Sequence, residues 1–151
     1  MVTTVGTETD FVETLCNLVQ LDLDAMEAYD LAMARVENAE YRDQLEAFKG
    51  DHIRHSEELS KVVTELGGKP STGPGTKQNM TAGGAVLADM VGDKRILEAL
   101  KANEDDTNKA YERAVQMSGD RKSADEVLRR GLEDERRHRA WLEEKIAKLA
   151  A

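Results

Sequence analysis

The chain has 151 residues, 40% of them hydrophobic and 34% charged, with a formal net charge of −9. This size suits one domain with its own core, and the composition excludes a disordered chain, while no apolar run approaches the ~20 residues a membrane helix needs. The acidic balance argues against nucleic acid and membrane partners, and the lone Cys16 excludes a disulfide framework or a cysteine-rich zinc module.

The opening MVTTVGTETD lacks the basic start and apolar middle of a secretory signal, so a reducing cytoplasm is the expected setting. Residues 1–9 read as a short tail and residues 10–151 as one bundle. Over residues 10–37, Phe11, Leu15, Leu18, Met26, Tyr29, Met33 and Val36 fall on one helical stripe. Asn38 is placed to cap a second helix, whose stripe holds Tyr41, Leu45, Phe48, Leu59, Val62 and Leu66. Gly67, Gly68 and Pro70 end it. The turn at Asn38 is short, so these two helices are expected to be antiparallel. Residues 69–78, KPSTGPGTKQ, carry no apolar period and begin a crossover that extends over about residues 67–92. Within it, residues 82–91 predict a small helix. Asp93 is expected to cap a third long helix, with Leu97, Leu100, Tyr111 and Ala114 on its inner face. Ser123 and Glu126 form a capping-box pattern opening a fourth, whose inner face holds Leu128, Leu142, Ile146 and Leu149. Short, long and short connections between four long helices define an all-α antiparallel four-helix bundle with one crossover.

Each stripe is broken near its middle by polar residues. Helical spacing puts Asp22 inside the first helix, His52 and His55 inside the second, Glu104 with Thr107 inside the third, and Glu135 and His138 inside the fourth. Burying an unpartnered carboxylate or imidazole costs several kcal/mol. One such residue is ordinarily a hydrogen-bonded core polar; six at one level call for a shared partner, and a metal cation binds carboxylates and neutral imidazoles together. Glu135 and His138 stand one turn apart on one face, so both can reach a single centre. The two halves also resemble each other. DLDAMEAYDLA, from Asp22 to Ala32, matches EDDTNKAYERA, from Glu104 to Ala114, at an offset of 82; His52 and His55 match Glu135 and His138 at an offset of 83. Tyr29 and Tyr111 either pack in the core with satisfied hydroxyls or support the polar cluster. Asp51 points about 100° away from His52 on an ideal helix. Asp105, Asp106, Glu133 and Asp134 read as solvated faces, Arg136 and Arg137 as helix-surface pairs, and Cys16 as a partly buried thiol. Trp141 is expected to pack near the cluster or at a dimer seam.

Taken together, the carboxylate-x6-Tyr pattern on two helices and the x-x-His pairs on the other two resemble the ferritin-like superfamily. ELGGKP at residues 65–70 and LADMVGDKRILEALKANEDDTNKAYERAV at residues 87–115 are similar to a bacterial ferritin-like family of uncharacterised function. The resemblance implies a ferritin-like bundle with a di-iron carboxylate site, in which Glu104, Glu135, His55 and His138 match ligands and Tyr29 and Tyr111 hydrogen-bond them. Asp22 stands where a Glu is usual, and His52 where a second, commonly bridging, Glu would be. Three carboxylates neutralise three positive charges, one fewer than two divalent ions carry.

Three functions therefore compete. One is an iron protein, with one or two Fe per chain, that reacts Fe(II) with O2 or peroxide. Another is a mononuclear centre on Glu135, His138 and part of the rest, with Zn or Mn as other occupants. The third is a metal-free bundle that pairs its buried charges internally and serves as a dimerisation or partner-binding protein. A homodimer or larger homo-oligomer is expected in each case. The sequence has no Cys-x-x-Cys tail to donate electrons and shows no sign of a hollow storage shell.

Overall fold

The computed structural model describes residues 3–7, 9–71, 87 and 89–149. Among the described residues four long helices follow in order: α1 (Phe11–Arg35), α2 (Ala39–Glu65), α3 (Asp93–Ser118) and α4 (Lys122–Leu149). No strand occurs among the described residues. The expected all-α bundle is the observed one.

Local chemistry sets the helix ends. Asp10 caps α1 by accepting from the Val12 N–H, and Asn38 caps α2 by accepting from Glu40 and Tyr41. Gly67, at φ +84°, turns the chain out of α2 in a conformation that favours glycine. Two expected caps are corrected. Asp93 is the first residue of α3, and its carboxylate accepts from Glu37 N at 2.8 Å and Asn38 N at 3.1 Å, tying α3 to the α1–α2 turn. α4 already starts at Lys122, so Ser123 lies within it and is not its cap. Instead Asp125 accepts from the Ser118 hydroxyl at 2.5 Å, joining the first turn of α4 to the end of α3.

α1 packs against α2 and α3, and α4 packs against α3 and α2. Tyr29 meets Glu104 while Tyr111 meets Asp22, so α1 and α3 run antiparallel. By the same reasoning α2 and α4 are antiparallel, since His55 meets Asp134 and His138 meets Asp51. α2 and α3 therefore point the same way. Gly68 lies against Val12 at one end of the bundle, and Asp93 sits at the α1–α2 turn at the other. The connection between them must travel the length of α1, about 38 Å at 1.5 Å per residue. The helix expected at residues 82–91 lies mostly outside the described residues; within that stretch Leu87 is fully buried.

The core forms two apolar ends. One gathers Phe11, Leu15, Leu18, Leu59, Val63 and Leu128; the other gathers Val36, Tyr41, Leu45, Phe48, Leu97 and Leu100. Between them lie Asp22, His52, His55, Glu104, Glu135 and His138, buried polar residues drawn from all four helices. On α1 the second half of the stripe is Ala25, Ala28, Tyr29 and Ala32, not Met26 and Met33, which are only partly buried. Alanines let neighbouring helices approach where methionines would hold them apart. Leu66, expected inside, is 43% exposed because the chain has already left the helix there.

Candidate metal centre

Asp22, His52, His55, Glu104, Glu135 and His138, the six polar residues placed inside by helical spacing, are all buried. They form two sets of four donors. Asp22, His52, His55 and Glu135 each offer an atom within 4.8 Å of the others, and so do His52, Glu104, Glu135 and His138. His52 and Glu135 belong to both sets. Asp22 with His55 marks one end of the cluster, and Glu104 with His138 marks the other.

Helix α1 supplies Asp22 and α3 supplies Glu104, each held by a tyrosine of the opposite helix. The Tyr111 hydroxyl donates to Asp22 Oδ2 at 2.6 Å, and the Tyr29 hydroxyl donates to Glu104 Oε1 at 2.5 Å. Burial, and then the charge of the bonded carboxylate, hold both phenols well above their usual range. Both tyrosines therefore stay protonated and act as donors to the two carboxylates. Thr107 adds a third hydroxyl, 3.2 Å from Glu104 Oε2 and 3.1 Å from Glu135 Oε2. Asn108 clamps α3 to α4 by donating to the backbone carbonyls of Glu104 and Glu135.

Two residues read as lying outside the cluster belong to its outer layer. Asp51 does not point away into solvent: it faces α4, with its Oδ2 2.8 Å from His138 Nε2 and 2.8 Å from an Arg137 nitrogen. Asp134 is no solvated face either: its Oδ2 lies 2.9 Å from His55 Nε2. Arg54 bonds the same Asp134 oxygen and Arg137 bonds the other, so Arg137 is more than a surface pair. His55 and His138 are thus each oriented by an aspartate from the facing helix. The signal was present in the sequence as a repeat, Asp51-His52-Ile53-Arg54-His55 against Asp134-Glu135-Arg136-Arg137-His138.

The electrostatics follow from this geometry. Burial alone would lower the imidazole pKa values, but the opposed carboxylates outweigh it. Asp134 and then Asp22 help push His55 up to about 12, and Asp51 and then Glu104 help push His138 up to about 10. His52 is likewise raised, by the charge of Glu135 and its contacts with Asp22 and Glu104. Despite burial, Asp22 is held below the ordinary carboxylate range by its bonds to His52 and His55, and Glu104 by its contact with Glu135 and then with His138 and His52. Glu135 is raised, first by burial and then by the neighbouring Glu104 charge. Without a metal, the cluster is a set of imidazolium–carboxylate pairs.

The same donors suit a metal. His55 and His138 commit their outer Nε2 to an aspartate, which turns Nδ1 toward the cluster, the usual arrangement of a metal-bound histidine. Among the described residues, His138 Nδ1 and Glu135 Oε1 are buried with no hydrogen-bond partner. Such atoms are costly unless something else engages them. The donor set is mixed nitrogen and oxygen, which fits iron, zinc or manganese.

The surroundings are apolar and tight. Phe48 stacks on His138 at 4.2 Å between ring centroids, and Trp141 packs beyond it against Phe48 and Tyr41, both at 5.5 Å. Trp141 is therefore one layer removed from the cluster. Cys16 is a partly buried free thiol, with its Sγ bonded to the Lys69 carbonyl. A cavity of about 30 Å³ at the α1–α3 seam is lined by Leu21, Asp24, Ala25, Asn103, Asp106 and Thr107.

Four helices with a long parallel crossover, closed around a buried carboxylate–histidine layer, define a ferritin-like bundle. A crystal structure from Bacillus anthracis str. Ames, described as ferritin like, diiron-carboxylate proteins, has this fold. It superposes with a TM-score of 0.68 over 92% of this chain and 99% of that chain, at 20% identity. Residues 10–117 match the family described as a domain of unknown function (DUF2383), and the chain belongs to that family. No curated protein sequence matches significantly. Among the described residues, no helix is long and apolar enough to cross a membrane.

Proposed function

We propose that the polar layer is a metal centre that takes iron, and that the protein reacts Fe(II) with dioxygen or peroxide. The observation that carries this reading is the pair of buried donor quartets sharing His52 and Glu135. Asp22 and His55 would hold one end of the centre, Glu104 and His138 the other. Bound Fe(II) would supply the electrons, becoming Fe(III) as dioxygen or peroxide is reduced.

The protein's own part is positioning and exclusion. Tyr111 and Tyr29 each engage one oxygen of Asp22 and of Glu104, fixing how the carboxylates face the cluster. Asp134 and Asp51 fix the ring orientation of His55 and His138 and make each a better donor. The apolar ends of the core keep bulk water from either side of the layer. A low-dielectric surround strengthens the attraction of the carboxylates for a cation. The lone Cys16 thiol suits a cytoplasmic setting.

The test is anaerobic loading with Fe(II), desalting and elemental analysis, followed by mixing with oxygenated buffer. Retained iron and oxidation above the buffer rate are expected. No saturable Fe(II) binding would defeat the proposal. The metal-free reading has its own support, since the imidazolium–carboxylate pairs account for most of the buried charge. It requires that a chelator leave the melting temperature of the purified protein unchanged; a fall of several degrees would remove it.

A further inference from the structure

His52 differs from the other two histidines of the cluster. His55 and His138 each turn one nitrogen outward, to Asp134 and to Asp51. His52 is fully buried and turns both nitrogens inward. Its Nδ1 is 2.8 Å from Asp22 Oδ1 and 3.4 Å from Glu135 Oε1, on the side of the first donor set. Its Nε2 is 3.2 Å from Glu104 Oε1, on the side of the second. The ring therefore stands between the two sets with one nitrogen offered to each. Each donor set is thus reached by one His52 nitrogen and holds two donors of its own, Asp22 and His55 on one side and Glu104 and His138 on the other.

Resting on the metal centre proposed above, we infer that His52 is a bridging ligand, giving Nδ1 to one divalent cation and Nε2 to a second, with Asp22 and His55 completing one position and Glu104 and His138 the other. Two nitrogen–metal bonds form, both ring N–H protons of the metal-free imidazolium leave to solvent, and no oxidation state changes.

This bridge has a geometric signature. Two metal–nitrogen bonds of ~2.0–2.1 Å on either side of an imidazole ring hold cations roughly 6 Å apart, against ~3.5–4 Å for the usual two-metal site. The experiment loads the full chain with Zn(II), which is redox-inert. It counts zinc per chain by elemental analysis and locates the ions by anomalous diffraction from the loaded crystals. Two zincs per chain, flanking the His52 ring at roughly 6 Å, are expected. His52→Glu should keep two zincs but draw them to about 4 Å. One zinc per chain in the wild type, or two on the same side of the ring or closer than about 4 Å, overturns the bridge and leaves the metal centre standing. No retained zinc or iron overturns both. The wild-type map decides the matter even if His52→Glu fails to fold.

Discussion

Gly50 and Gly131 both lie inside long helices, yet alanine should act oppositely at the two. A Cβ at Gly50 meets nothing within 4 Å. There Gly50→Ala should gain the helix-propensity difference of about 1 kcal/mol, raising the melting temperature by ~2–4 °C for a chain of this size. A Cβ at Gly131 would lie 2.5 Å from Tyr111 Cε1, 3.1 Å from Cδ1 and 3.2 Å from Cζ. Ordinary contact lies near 3.5–4 Å, so the ring would have to retreat by about 1 Å. It has little freedom to do so, being 1% exposed with its hydroxyl bonded to Asp22 at 2.6 Å. Overpacking of this kind costs ~1–3 kcal/mol. Set against the same propensity gain, Gly131→Ala should come out between neutral and about 2 kcal/mol destabilising. Thermal unfolding of both metal-free variants by circular dichroism measures the contrast, and Gly50→Ala should melt at least ~2 °C higher than Gly131→Ala. Equal stabilisation by both would refute the argument, because it would mean that Tyr111 is free to move. If Tyr111 is pinned, the Gly131 variant should also bind metal more weakly through the displaced Asp22.

Asp134→Asn and Asp51→Asn should each lower metal affinity by ~10–100-fold while leaving the helices folded; isothermal titration with Zn(II) checks this, and unchanged affinity would deny the outer aspartates their role. Tyr111→Phe should cost ~1–3 kcal/mol in the metal-free protein, because buried Asp22 Oδ2 loses its phenol donor; urea unfolding measures it, and a neutral result would show that the oxygen finds another partner. Metal affinity should rise with pH by about tenfold per unit for each imidazolium proton displaced, between about pH 6 and 8, below the raised values of His55 and His138; a flat profile would mean that those rings are already neutral. Stability of the metal-free protein should run the other way. The raised imidazoles contribute fully below their unfolded pKa of ~6.5, and that contribution is lost as pH rises through about 10 for His138 and about 12 for His55. The melting temperature should therefore fall from about pH 6.5 upward, and a rise over that range would contradict the imidazolium pairing.

The helices and all six inner polar residues were legible because helical spacing alone decides which face a side chain occupies. Val36, Tyr41, Phe48 and Leu100 followed the same rule into the core. The misses share a different cause. A helical wheel treats Asp51 and Asp134 as residues a third of a turn from the core, but each sits where another helix brings a histidine within reach. Likewise Asp93 looked like a cap for its own helix and instead binds the backbone at the entrance to α2. Met26 and Met33 lost the stripe to Ala25, Ala28 and Ala32 because helix separation, which a single helix does not reveal, rewards small side chains. The length of the outer-layer repeat, Asp-x-x-Arg-His in both halves, was the available clue, and it required comparing the halves one residue beyond the inner positions.

The exchange of partners between helices relates the two halves of the cluster as if by a two-fold axis: Tyr29 with Glu104 and Tyr111 with Asp22, His55 with Asp134 and His138 with Asp51. Two identical chains meeting on such an axis would have to offer identical places. One continuous chain is free of that rule, and here the freedom is used: Asp22 faces Glu104 across the axis, one methylene shorter, and His52 faces Glu135. Cations held at the two ends would therefore differ in affinity and fill in sequence, making a half-loaded protein a distinct species with one committed end and one vacant one.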